Sequence, residues 1–305
     1  MAETLRTGAM DAPAARDDER PRGEAASAAP AARPPRPRRW INRRPGRLAR
    51  AALAALPFLA ALLAYVVATD IRRAENPQDR LLPSLPAIAE TAGRLATEPS
   101  RRTGEITLWA DTAASLGRLG AGVAIAAALA LSLGLAIGTL PATAAGLGPF
   151  VSALSLVPPL AVLPILFLAF GLGETAKVAL VVIGIAPVMT RDLASRAAEI
   201  PRETIVKAQT LGASSAVVAL RVVLPQLMPR LVAAVRLGLG PAWLFLIAAE
   251  AIAAEAGLGY RIFLVRRYLA MDVILTYVAW ITLLAFAIDR LLAALSRRLY
   301  PWAVP

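Results

Sequence analysis

Apolar residues in this chain fall in long unbroken runs, not at the spacing of a half-buried face. Six runs stand out, at roughly Leu48–Thr69, Leu119–Leu140, Phe150–Phe170, Ala176–Thr190, Leu231–Ala254 and Val273–Leu295. Each reaches or nearly reaches the length that crosses ~30 Å of hydrocarbon at ~1.5 Å per residue. The fourth is the shortest and borrows from its flanks. Backbone groups in hydrocarbon must pair within their own segment, so the runs predict helices. The pattern predicts an all-α integral membrane protein with about six transmembrane helices.

The segments between the runs differ in character. Residues 70–118 carry Pro77, Pro83, Pro86 and Pro99. They read as a loop with a short helix near Leu85–Ala96, and Trp109–Arg118 begins the helix of the second crossing. Between the fourth and fifth runs, Pro201 suits a first helical turn. Ile205, Ala208 and Leu211 mark an apolar side at helical spacing. Gly212 can end that helix in a left-handed conformation, and Ser214 or Ser215 can cap the next. Pro225 then marks a bend before the fifth crossing. Two short helices joined at a glycine are predicted here, suited either to a lipid surface or to a groove on a soluble partner. The predicted organisation is a basic tail at 1–47, a first crossing at 48–70 and a loop at 71–108. A core at 109–295 follows, with five crossings and the segment 191–225, and a tail at 296–305 closes the chain.

Composition supports the class. The 305 residues are 57% apolar, with a mean hydropathy of +0.59. Basic residues outnumber acidic ones 33 to 21, and 31 of the 33 are arginine. Cysteine and histidine are absent. Disulfide frameworks, cysteine nucleophiles, Ser-His-Asp triads and the usual zinc or haem sites are therefore excluded, and no cofactor is expected.

Charge sets the expected orientation. Residues 1–50 hold 12 arginines and 6 acids. Eight of these arginines, from Arg33 to Arg50, stand before or at the very start of the first run and read as a cytoplasmic topology signal. Residues 1–40 cannot bury enough surface to offset their ordering entropy and are expected to be disordered. The stretch is too long and too proline-rich for a cleaved signal peptide, so the first crossing is expected to stay. With this end inside, the cytoplasmic side also receives Arg191, Arg196, Arg202, Lys207, Arg221, Arg230, Arg297 and Arg298. The outer loop carries seven arginines, but it is long and also rich in acids. Both termini are expected in the cytoplasm.

Several features lie inside the runs. Pro158, Pro159 and Pro164 crowd the third, Pro187 interrupts the fourth, and Gly238, Gly240 and Pro241 the fifth; such breakers kink helices and suit a mobile or pathway-lining segment. Gly134 and Gly138 form a small-residue pair that permits close helix approach. Arg236 and Asp289 either pair across the fifth and sixth crossings or reach separately to the inner interface. Glu250 faces either a solute path or the headgroups, with Glu255 following on a different face.

The stretch from Pro201 to Pro225 resembles the cytoplasmic motif of permease subunits in bacterial ATP-binding-cassette importers of the nitrate/sulfonate/taurine branch. That motif runs Glu-Ala-Ala, three residues, Gly, nine residues, Ile, one residue, Leu-Pro. Ala208, Gly212, Val222, Leu224 and Pro225 match it, while Val206 and Lys207 replace its opening Glu-Ala. Further likenesses are Ser115-Leu116-Gly117-Arg118, Pro158-Pro159-Leu160-Ala161, Phe170-Gly171-Leu172-Gly173-Glu174, Ala242-Trp243, Ala249-Glu250 and Gly257-Leu258-Gly259-Tyr260.

The resemblance implies the type I importer-permease architecture in a bacterial inner membrane. It implies a homodimer of the permease, two copies of an ATPase subunit inside, and a periplasmic or lipoprotein solute-binding protein outside. On this reading Ile205, Ala208, Leu211, Gly212, Ala213, Leu224 and Pro225 couple to the ATPase. Pro158, Pro159, Trp243, Glu250, Arg236 and Asp289 are pathway or structural candidates. The chain has no Gly-x-x-x-x-Gly-Lys-Ser/Thr loop, so ATP hydrolysis is expected on the partner, not here.

The run Ala248–Glu255, with Arg261–Tyr268, also looks similar to permeases accompanying urea-carboxylase-type enzymes. The solute is then either sulfonate-, taurine- or nitrate-like, or urea- or guanidinium-like. Two other classes compete. A stand-alone channel or secondary transporter would favour internal repeats, and none is evident. A DNA-binding reading of 202–225 is opposed by Pro225 and the crossing that follows, so no nucleic-acid partner is expected.

Overall fold

A computed structural model describes residues 45–76, 81–100 and 104–303. The disorder expected for 1–40 lies outside the described residues. The chain divides into two units, Met1–Leu56 and Pro57–Pro305. In the first unit the described residues open helix α1 (Arg47–Glu75), and all of them are exposed. In the second, α1 carries Pro57 and continues past the apolar run to Glu75, with no further proline before Pro77.

The remaining helices are α2 (Leu85–Thr97), α3 (Thr107–Thr139), α4 (Pro141–Leu154), α5 (Pro159–Phe170) and α6 (Glu174–Ala198). They are followed by α7 (Arg202–Thr210), α8 (Ser215–Val218), α9 (Leu224–Ala253), α10 (Leu258–Arg266) and α11 (Met271–Leu299). Among the described residues five helical stretches are long and apolar enough to cross a membrane, or six if the bent pair α4 and α5 counts as one.

That pair corrects the third predicted crossing. Phe150–Phe170 is not one helix, because α4 and α5 meet at a 95° bend. The cause is Pro158-Pro159. Proline disfavours helical geometry in the residue before it, and Pro158 is extended at φ −67°, ψ 113°. Pro159 then opens α5, where its missing N–H costs nothing.

Two other boundaries move. The fourth crossing does not stop at the first charge: α6 carries Arg191, Asp192 and Arg196 within its last turns. No bend is needed at Pro225 either, since Ser215–Ala253 is one continuous helical stretch. A π-helical turn, Ala219–Val223, precedes α9, and the Leu224 N–H donates to Ala219 O. Pro225 follows directly on this turn, where the hydrogen-bond ladder has already departed from the regular α pattern.

The core is built on α3 against α6. A Cβ added at Gly138 would stand 2.3 Å from the Cβ of Ala197, and one at Gly134 would stand 2.7 Å from the Cβ of Leu193. Glycine at these two positions is what lets the helix axes approach so closely. On α9, Phe245 occupies the space that a side chain at Gly184 of α6 would need. Buried residues from α3, α5, α6, α9, α10 and α11 form one continuous core cluster. By contrast Leu59, Leu62 and Leu63 of α1 are exposed, as they are on a helix whose surroundings are lipid.

Candidate functional site

One end of the bundle carries the segment between α6 and α9. Helix α7 begins after Pro201 and ends at Leu211, and Gly212 takes φ +84°, a conformation that strains any residue with a Cβ. Ser214 caps α8 by accepting a hydrogen bond from the Val217 N–H. Ile205, Ala208, Ala213 and Val222 pack inward against the core. Leu211 points the other way and is 88% exposed, with Val206 and Leu220 also exposed. The coupling candidates read from the sequence therefore divide into an inward face and an outward tip. Leu224 is half-buried and Pro225 exposed at the start of α9.

At the opposite end of α6 lies a buried polar cluster that joins five helices. Glu250 of α9 is completely enclosed. Its Oε1 accepts from Arg118 Nη1 at 2.6 Å, and its Oε2 from the Gly259 N–H at 2.9 Å. The Ser115 hydroxyl lies 2.8 and 2.9 Å from the two oxygens, donates to the carboxylate, and accepts from the Leu258 N–H at 2.8 Å. A fully buried carboxylate persists only when ion-paired and hydrogen-bonded in this way. Gly257 completes the fit: its φ is +131°, and a Cβ there would come within 2.6 Å of the Glu250 carboxyl carbon.

Arg118 reaches further. It donates through Nη1 to Ala256 O at 2.7 Å, and through Nε and Nη2 to both oxygens of Glu174, the first residue of α6. Lys177, one turn on, donates to Glu174 Oε1 at 2.9 Å. Beside this group Asp111 of α3 accepts from Arg261 Nε, Tyr277 Oη and the Gly257 N–H, at 2.9, 2.9 and 3.0 Å. Thr91 of α2 donates to Asp272 at the start of α11 at 2.8 Å.

The other sequence candidates lie apart from this cluster. Arg236 and Asp289 do pair, through Nε–Oδ1 at 2.8 Å and Nη2–Oδ2 at 3.1 Å, with side chains about one-third exposed at 36% and 33%. Pro158 is exposed and Pro159 half-buried at the α4–α5 break. Trp243 is buried, and its indole N–H finds no acceptor among the described residues. Between α6 and α9 a cleft of about 260 Å3 is lined by Gly184, Val188, Met189, Leu237, Gly238 and Pro241 among others.

Sequence reasoning missed Arg118, Glu174, Lys177, Asp111, Arg261 and Tyr277 as site residues. A signal was present for two of them. Arg118 stands one residue before the second apolar run, and Lys177 is the second residue of the fourth. A charge in such a place marks a buried partner.

A family model described as "Binding-protein-dependent transport system inner membrane component" matches residues 126–300. The chain is 40% identical over 199 residues to the taurine transport system permease protein TauC of Escherichia coli (strain K12), across 65% of this chain and 72% of that one. It is 29% identical over 254 residues to the nitrate import permease protein NrtB of Synechococcus elongatus, across 81% of this chain and 90% of that one. Among solved structures, a chain of the inward-facing MetNI methionine ABC transporter matches with a TM-score of 0.48 at 21% identity, over 61% of this chain and 96% of that one.

Proposed function

The chain belongs to the family of binding-protein-dependent transport system inner membrane components, and from that premise we propose how its parts divide the work of import. It is the multi-pass permease subunit of an ABC importer in the inner membrane, forming the path for a small polar solute. ATP is hydrolysed on a separate subunit, and a solute-binding protein supplies the cargo.

The α7–Gly212–α8 segment docks the ATPase. The observation that carries this is Leu211, an apolar side chain 88% exposed at the tip of a turn whose neighbours Ile205 and Ala208 pack inward. Exposed apolar tips of this kind fit a groove on a partner. Two permease copies form the pore and two ATPase copies bind them, with both termini and the docking segment in the cytoplasm. The basic residues from Arg191 to Arg230 support that orientation. The opposite end, including α10, meets the binding protein. Closure of the ATPases moves the docking segments and biases the equilibrium between inward-open and outward-open states.

The cargo is a small oxyanion or a zwitterion with an anionic group. Relatives are named for taurine, aliphatic sulfonates, nitrate and bicarbonate, all of which carry such a group. A guanidinium-like cation would draw on a free carboxylate, and Glu250 is neutralised by Arg118, which leaves only Glu255 of that pair exposed.

The test is co-purification of the ATPase with the intact chain and with Gly212→Val. The intact chain retains the ATPase and the variant loses it; equal retention removes the docking role. Competition of uptake by taurine, nitrate, urea and guanidinium then decides the cargo class.

A further inference from the structure

We propose that Arg118 and Lys177 form a solute-anion site, and that Glu174 occupies it here in place of a solute oxyanion. The proposal rests on the permease reading and deepens it.

Burial is unequal among the partners. Lys177 and Arg118 are only 3% and 9% exposed, whereas the Glu174 side chain that joins them is 62% exposed. Two buried cations thus present their donors towards a carboxylate that solvent can reach. The two carboxylates on Arg118 are not equivalent. Glu250 is enclosed and held by Arg118, Ser115 and the Gly259 N–H. Glu174 is held by the two cations alone and follows the turn Gly171–Gly173. Swinging Glu174 out requires only rotation of an exposed side chain.

The donor set fits an oxyanion. Arg118 gives a two-pronged contact through Nε and Nη2, and Lys177 adds a third donor to the same oxygen that Nη2 reaches. A guanidinium fork matches the flat, two-oxygen edge of a carboxylate, a nitrate or a sulfonate face. Charge agrees as well. Arg118 and Lys177 balance Glu174 and Glu250, so displacing Glu174 leaves one positive charge, which a monoanion neutralises. Glu174 then acts as a resident competitor that yields to solute and returns when it leaves. This keeps two buried cations paired throughout transit.

The chain has no cysteine, so Glu174→Cys introduces a single thiol. The full chain is assembled with its ATPase and binding protein in phosphatidylcholine vesicles, and labelling of this subunit is timed with anionic sulfonatoethyl and cationic trimethylammonium methanethiosulfonates. Each rate is divided by that reagent's rate with a free small thiol, and the ratio of the two normalised rates cancels any change in thiol reactivity. The anionic reagent is expected to react at least about tenfold faster. Lys177→Gln should lower that ratio to a few-fold, and millimolar nitrate or taurine should slow the anionic reagent. A ratio near one overturns the site. Slowing by added phosphatidylglycerol but by neither solute makes it a headgroup contact and also overturns it.

Glu174→Gln gives a second reading by calorimetric titration with nitrate. The variant complex is expected to bind at least about tenfold more tightly than the unsubstituted one, and equal affinity overturns the proposal. ATPase co-purification is followed throughout. An intact complex with charge-indifferent labelling removes the anion site and leaves the permease reading in place, whereas an unsubstituted chain that retains no ATPase removes that reading.

Discussion

Arg118 and Glu250 are 132 residues apart in sequence and meet at 2.6 Å, with Glu250 wholly enclosed. The pair ties α3 to the end of α9, and through Ala256, Gly257 and Gly259 it fixes the turn into α10. Removing Glu250 leaves Arg118 and Lys177 with Glu174 as their one carboxylate, and so one buried positive charge in excess. Glu250→Gln is expected to destabilise the subunit by about 3–5 kcal/mol, the usual cost of an uncompensated buried charge. The double variant Arg118→Met, Glu250→Met should be less destabilised than Glu250→Gln. Thermal unfolding of the purified complex measures both, and a double variant worse than the single would show that the pair is not the principal contact.

Gly138 on α3 leaves no room against Ala197 on α6, with only 2.3 Å between an added Cβ and the Ala197 Cβ. Gly138→Ala must push two backbones apart, because neither neighbour is the flexible end of a long side chain. A cost of about 1–3 kcal/mol is expected. Gly146→Ala, where an added Cβ meets nothing within 4 Å, is the control and should be close to neutral. A falling melting temperature for the first and not the second confirms that α3 and α6 are locked by contact at this glycine.

What the sequence disclosed, and what it did not, follows from the kind of information each feature carries. Helices that need only length and hydropathy were legible, as in α9 and α11. The Gly212 turn was legible because left-handed backbone and a serine cap are local. The α4–α5 break was half legible: three prolines flagged a disturbed helix, but a 95° turn depends on how both halves pack. The Arg118 cluster was legible only as separate charges beside apolar runs, since its members come from α3, α6, α9 and the turn into α10 and only the fold brings them together. The apolar run starts at Leu119 and so left Arg118 just outside it, although the helix itself was expected from Trp109 and α3 begins at Thr107. Glu250 shows the same limit. Its place in the chain suggested a path or the headgroups, and only the fold brings Arg118, Ser115 and Gly259 around it.

Arg236 and Asp289 join α9 to α11 with a two-pronged contact, yet both side chains are about one-third exposed. Exposed pairs contribute little in water, so their effect here depends on the membrane around them. Neutralising either residue alone should reduce the amount of folded subunit recovered from membranes more than exchanging the two charges does. Immunoblots of the membrane fraction measure this, and equal losses for the single variants and the exchange would exclude pairing as the reason for the two charges.

The outward tip at Leu211 offers the sharpest separation of folding from coupling. Leu211→Asp changes a side chain that is 88% exposed and touches little of its own chain, so subunit stability should stay within about 0.5 kcal/mol of the unsubstituted protein. Gly212→Val instead forces a β-branched residue to φ +84° and should cost about 1–3 kcal/mol locally. Both variants are expected to lose ATPase binding by about tenfold or more, for different reasons: one removes the apolar contact, the other displaces the turn that presents it. Ile205→Ala is the third arm. Ile205 packs inward, so it should weaken the segment's attachment to the core while leaving the tip chemically intact. Normal ATPase affinity in Leu211→Asp would place the docking surface elsewhere on the segment, because no other change in that variant could compensate for a charge set into an apolar groove.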